Sequence, residues 1–220
     1  MADSRRDTLR FLFRLAAAYV LLLVMATRAP EPWLRAVAPV AALTADAASP
    51  YLDDLRARVE GRAFQFDGRF MIDMTLATGQ PVPPIPGAWR QQGSHALHLA
   101  LVAFSLWAAI ALPWRRKIAA LGFTAVAALI FSGIDLSVQM LDSALGVIGR
   151  DWLPAQVMRS DEANLAAFQR LESHYEWVRG AKAFFDGGGR LFLGVVAGWL
   201  GAGLIRPASP DSDLHDKAPY

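Results

Sequence analysis

The chain has 220 residues, 54% hydrophobic and 19% charged, with a formal net charge of +2 and no cysteine. This length suits one compact unit rather than two soluble domains, and the near-balanced charge offers no basic surface for nucleic acid. Without cysteine there are no disulfides, thiolate metal sites or thiol nucleophiles.

Four apolar stretches organise the chain: Phe11–Thr27, His95–Trp114, Ile118–Leu141 and Leu191–Ile205. A bilayer core of roughly 30 Å needs about 20 apolar helical residues. The middle two stretches meet that length and the outer two are short. The first follows Arg5, Arg6 and Arg10 and contains Arg14. It reads as an uncleaved membrane anchor, with a signal peptide cut after Val24-Met25-Ala26 as the alternative.

Beyond it, Pro32 to Ala45 predicts an amphipathic helix at the membrane face. Ser49-Pro50, followed by Asp53 and Asp54, has the residue types of a helix start and predicts a second short helix. From Ala63 to Leu76, apolar residues alternate on both sides of Asp67-Gly68, a strong two-residue turn signal, so a β-hairpin is predicted with its turn there. Gly79 to Gly87 carries Pro81, Pro83, Pro84 and Pro86 and reads as a stiff extended connector into the second span.

The third span follows after Trp114-Arg115-Arg116-Lys117. Past it, Asp161 and Glu162 open a helical pattern with Leu165, Phe168, Leu171, Tyr175 and Val178 on one face. Gly187-Gly188-Gly189 reads as a flexible hinge before the last span. The expected fold is therefore an all-α membrane protein. A single integral membrane domain, residues 1–220, has four transmembrane helices and a small extracytoplasmic helix and β-hairpin segment.

Short loops rich in Lys and Arg stay in the cytoplasm. The basic N-terminus and Arg115-Arg116-Lys117 predict a cytoplasmic N-terminus, a cytoplasmic C-terminus after Arg206, and residues 28–94 and 142–190 outside. Trp114 and Trp199 fall near the interfaces, where indoles anchor.

Asp135 is the residue most costly to place, because a carboxylate inside a span needs a partner or water. Counting helical rise from the tight turn between the second and third spans puts His98 at its depth, with His95 and Gln139 nearer the outer boundary. His95, His98, Asp135 and Gln139 thus form a candidate intramembrane polar site, with a His98–Asp135 contact expected. In the last span, Gly194, Gly198 and Ala202 recur every four residues and make a helix-packing stripe. Glu172, His174 and Glu176 are spaced by two, which on a helix puts them on different faces, so a metal site is not expected. No catalytic residues are assigned, and no cofactor or metal signature is found.

The start Arg5-Arg6…Arg10-Phe11-Leu12-Phe13-Arg14, the β-like stretch before the second span, and Leu112-Pro113-Trp114-Arg115-Arg116-Lys117 together resemble the exosortase-associated small membrane proteins, the exosortase H type in particular. The resemblance covers about half the chain. It implies a role accessory to a protein-sorting transpeptidase that processes C-terminal anchors, and it supplies no catalytic residues. The functional expectation is a non-enzymatic accessory or assembly subunit of a bacterial inner-membrane sorting or envelope complex, with the lipid bilayer and a membrane-protein partner. The alternative is a small membrane enzyme or transporter that uses Asp135 and His98.

Overall fold

The computed structural model describes residues 2–76, 78–148 and 162–203. Helix α1 (Ala2–Arg28) is followed by α2 (Glu31–Ala48) and three strands, β1 (Leu52–Glu60), β2 (Ala63–Phe70) and β3 (Ile85–Gln92). Then come α3 (Ser94–Ala109), α4 (Trp114–Val147) and α5 (Glu162–Phe184), a π-helical turn (Phe185–Gly189), and α6 (Arg190–Gly203). The protein is mostly helical, as expected, and the segment expected to form a hairpin is part of a small three-stranded antiparallel sheet of order β1-β2-β3.

Two helices, the apolar part of α1 and α4, are long and apolar enough to cross a membrane. The other two expected spans are shorter as helices. The second, read as His95–Trp114, ends as helix α3 at Ala109, and Trp114 instead opens α4 behind Pro113. The last is 14 residues long as α6, with Leu204, Ile205 and Arg206 outside the described residues.

Helix α4 has two environments. Its 34 residues extend about 51 Å at the usual helical rise of about 1.5 Å, well beyond a bilayer core of about 30 Å. In its first half Ile118, Phe123, Val126 and Ile130 are exposed. From Ser132 onward nearly every residue is covered by protein, with Leu136, Met140, Leu141, Ala144 and Leu145 in the main core. The third apolar stretch therefore divides into an exposed stem and a packed end inside a head made of α2, the sheet and α5.

The sheet corrects three expectations. The chain after Ser49 forms β1 rather than a helix, because Leu55, Ala57 and Val59 turn inward while Arg56, Arg58 and Glu60 turn outward, a period of two. Ser49 closes α2 instead, its extended backbone donating its N–H to the Ala45 carbonyl. Asp54, at φ 54°, marks a break in the β1–β2 register between Asp53 and Arg56. The hairpin turn lies at Gly61-Arg62, since Glu60 pairs with Ala63, and Asp67-Gly68 runs through the middle of β2 opposite Arg56, Ala88 and Gly87. β2 is the central strand, and Phe64, Phe66 and Phe70 are fully buried from it. The connector before the second span becomes strand at Ile85, and Pro86 is tolerated because β3 is an edge strand.

Helix α2 is present as expected, but its apolar face meets protein rather than a membrane surface. Leu34, Val37, Ala38, Ala41 and Ala45 are buried in the core. The crossing with α4 is close: a Cβ on Gly133 would lie 2.5 Å from Val40 Cγ1. Ser137 Oγ donates to the Ala41 carbonyl at 2.8 Å and touches the Thr44 hydroxyl.

The α5 pattern is observed from Glu162; Asp161 lies outside the described residues. Leu171 and Val178 are buried, Phe168 and Tyr175 half-buried, and Leu165 is 57% exposed. Asn164 fastens the start of α5 to the loop after β2, accepting from Thr75 N–H at 2.8 Å and donating to Thr75 O at 2.8 Å. The triple glycine is built into a helical π turn kinked at Gly188, whose φ of 115° disfavours any L side chain. Gly188→Ala is therefore expected to lower thermal stability by about 1 kcal/mol or more, while Gly187→Ala, at a helical glycine with nothing within 4 Å of the added Cβ, leaves it unchanged or raises it. Melting of the purified variants in one detergent checks the contrast; equal melting would remove the strain argument.

Candidate functional site

The kink positions a buried ion-pair network where the head meets the stem. Asp135 and Gln139 are one turn apart on α4, and Asp186 and Arg190 are one turn apart across the π turn. The Arg190 guanidinium grips Asp135 with two hydrogen bonds, Nε to Oδ2 at 2.6 Å and Nη2 to Oδ1 at 3.0 Å. Its remaining Nη1 lies 2.9 Å from Asp186 Oδ1. Gln139 Nε2 sits between the two carboxylates, 3.5 Å from Oδ1 of each. The Asp135 side chain is fully buried and that of Arg190 is 16% exposed.

Such forked pairs are the strongest hydrogen-bonded ion pairs in proteins, and burial makes each partner dependent on the other. Both oxygens of Asp135 accept from donors of the protein itself. Arginine is a permanent cation that does not exchange protons near neutral pH. The arrangement ties α4 to the α5–α6 junction, with both Asp135 oxygens engaged inside the protein and Asp186 at its partly exposed edge. A polar ladder continues along α4: Gln91 Nε2 donates to Ser143 Oγ at 2.8 Å, and Lys182 lies 3.0 Å from Asp142.

The four residues singled out in the sequence divide in two. Asp135 and Gln139 are in the network, and His95 is near enough to feel the charges of Arg190, Asp135 and Asp186. His98 is not Asp135's partner. It is exposed and lines a separate cleft with Arg62 and Arg90. Arg190 and Asp186 escaped sequence reasoning, although a signal was present. A carboxylate in an apolar stretch needs a cation close by, and Arg190 stands at the start of the next apolar stretch.

The small-residue stripe packs α6 inside the helix bundle. A Cβ on Gly194 would lie 2.8 Å from Val102 Cβ, and one on Gly198 would lie 2.8 Å from the Ala103 carbonyl oxygen, both on α3. Gly201 extends the stripe against Thr124 and Ala120 of α4. The side chain of Ala202 is outside the described residues. Leu99, Ala103, Ala128 and Ala197 form a small second core beside this crossing.

On α5, Glu172 and Glu176 are exposed, whereas His174 turns inward to pack edge-on against Tyr51 and to stack with Trp177. Burial lowers the His174 pKa and raises that of Tyr51, favouring the neutral form of each. Among the described residues no group of three or more His, Asp or Glu side chains could hold a metal ion. Comparison of the chain with protein-family models, with curated proteins and with solved structures finds no match.

Proposed function

We propose that the protein is a non-enzymatic accessory or assembly subunit of a bacterial inner-membrane complex, of the kind that serves a protein-sorting transpeptidase. The observation that carries this reading is the closure of the Asp135 network. The most conspicuous buried charge in the chain is consumed by Arg190, Gln139 and the packing of three helical segments. That suits a structural fastener better than a catalytic or transport group. Exposed apolar side chains on α1, the first half of α4 and α6, among them Phe13, Val20, Phe123, Phe192 and Trp199, suit a stem in lipid. The basic start and the Arg115-Arg116-Lys117 cluster support a reading in which the N-terminus and the α3–α4 connection are cytoplasmic, the head lies outside and the chain passes four times.

Reporter fusions at Gly79, Arg116 and Ala163 test the topology. Gly79 and Ala163 are expected outside and Arg116 inside; Arg116 outside, or Gly79 and Ala163 on opposite sides, would end this topology. Cross-linking and pull-down of the tagged chain from native membranes test the role. Recovery of a sorting transpeptidase in stoichiometric amount is the expected result. A chain that stays free of larger partners, and whose Asp135→Asn variant is abundant but inactive in complementation, would favour the enzyme or transporter reading instead.

A further inference from the structure

Beyond the accessory role and independently of it, a second site stands where the outer end of α1 meets the head. A cleft of about 630 Å³ opens between the end of α1, the β1–β2 turn, β3 and the start of α3. That volume lies within the range of about 300–1,000 Å³ typical of small-molecule sites. Its polar wall includes Arg62, Arg90, Gln92, Ser94 and His98. Its apolar wall is made by Leu23 and Ala26 of α1 and Leu97 and Leu101 of α3. Among the described residues no acidic side chain lines it.

Both arginines are available for a ligand. Arg62 donates Nη2 to the Thr27 carbonyl at 2.9 Å, which ties its guanidinium to the end of α1 and holds it at the rim. Among the described residues neither Arg62 nor Arg90 has a carboxylate partner. Two exposed cations of β1, Arg56 and Arg58, are by contrast paired with Asp54, Glu60 and Asp67.

The apolar side continues around α1. A neighbouring cleft of about 380 Å³ shares Ala26, Pro30, Leu97 and Leu101 and is completed by Leu22, Met25 and Phe104. Two unpaired guanidinium groups thus stand over an apolar groove between two helices, at the end of a helix long and apolar enough to span a bilayer. The wanted occupant has an anionic head and a hydrocarbon tail in fixed order.

We propose that this cleft binds one anionic phospholipid, its phosphate between Arg62 and Arg90 and an acyl chain along Leu97 and Leu101 between α1 and α3. The arginines supply fork-shaped donors suited to phosphate oxygens. The groove supplies the contact that a free anion would not use. Lipid bound there would fill the space between α1 and α3 and fix the anchor helix against the head.

The test is native mass spectrometry of the purified full chain in detergent, titrated with phosphatidylglycerol and, separately, with phosphatidylcholine. One phosphatidylglycerol is expected to bind with clear preference over phosphatidylcholine. Each arginine near an anionic lipid is worth about 1 kcal/mol, or about fivefold. Arg62→Gln or Arg90→Gln should weaken binding by about fivefold, and the pair by roughly 30-fold. Arg62→Lys, which keeps the charge but loses the fork, should bind between the wild type and Arg62→Gln. Ala26→Trp, which fills the apolar wall, should weaken lipid binding without touching a charge. Arg58→Gln, which removes a paired cation elsewhere, should not change it. Melting of each variant shows that it is folded. Equal binding of the two lipids, or a double glutamine variant that binds as the wild type does, would overturn the proposal. Displacement of the lipid by millimolar inorganic phosphate with no effect of Ala26→Trp would mark a free-phosphate site and would overturn it too.

Discussion

Replacing Arg190 by alanine is expected to lower stability by about 3–5 kcal/mol, the usual cost of leaving a buried carboxylate without its cation. Asp135 is fully buried and takes two hydrogen bonds from that one guanidinium. Gln139, at 3.5 Å, is too distant and uncharged to replace it. Asp135→Asn should cost less, because Arg190 keeps Asp186 at 2.9 Å and an amide still accepts a hydrogen bond. The double variant Asp135→Asn/Arg190→Gln, neutral on both sides, should be more stable than Arg190→Ala alone. Thermal unfolding in a single detergent, with Arg190→Gln alone added to close a double-mutant cycle with Asp135→Asn, reads the coupling. An Arg190→Ala protein that melts with the wild type would show that the pair does not hold α4 to the α5–α6 junction. For function, Asp135→Asn should remain largely active in complementation.

Gly198→Leu is expected to separate α3 from α6. Even the first carbon of a side chain would stand 2.8 Å from the Ala103 carbonyl oxygen and 2.9 Å from Leu106 Cβ. The first obstacle is backbone within a packed helix, so no rotamer avoids it. Overpacking of this kind costs about 1–3 kcal/mol or more, and in a membrane it also removes the close contact that favours helix association. Gly122→Leu on α4 is the matched control, since nothing lies within 4 Å of its added Cβ. It should be neutral or gain a little from helix propensity. Loss of melting temperature in Gly198→Leu alone supports the packing argument; equal behaviour of the two variants would count against it.

The apolar stretches were legible because lipid-length helices announce themselves by composition. The Gly194–Gly198 spacing was equally plain, since four residues return a helix to the same face. The sheet was half legible. Phe64 and Phe66 alternate as a strand should, and so do Leu55, Ala57 and Val59 just upstream. The pattern in β1 was overridden by Ser49-Pro50 and two aspartates, which have the residue types of a helix start. Asp67-Gly68 is by local sequence a stronger turn signal than Gly61-Arg62, and only the pairing with β1 and β3 shows it as mid-strand. A central strand can carry Asp-Gly when partners on both sides satisfy its backbone, as Arg56, Ala88 and Gly87 do here.

Composition and period thus determined by themselves that the chain carries long apolar helices, a β segment and a costly carboxylate at position 135. Each is a property of local sequence: hydropathy over a window, alternation along a strand, one charge in an apolar run. The tertiary structure alone decided where α4 leaves its exposed stem and enters the head, and which cation answers Asp135. His98 and Arg190 were both at a suitable depth, and depth is a single coordinate. Choosing between them also requires the rotation of each helix about its axis and the sideways placement of the kinked α5–α6 junction, and those follow from packing among residues far apart in the chain.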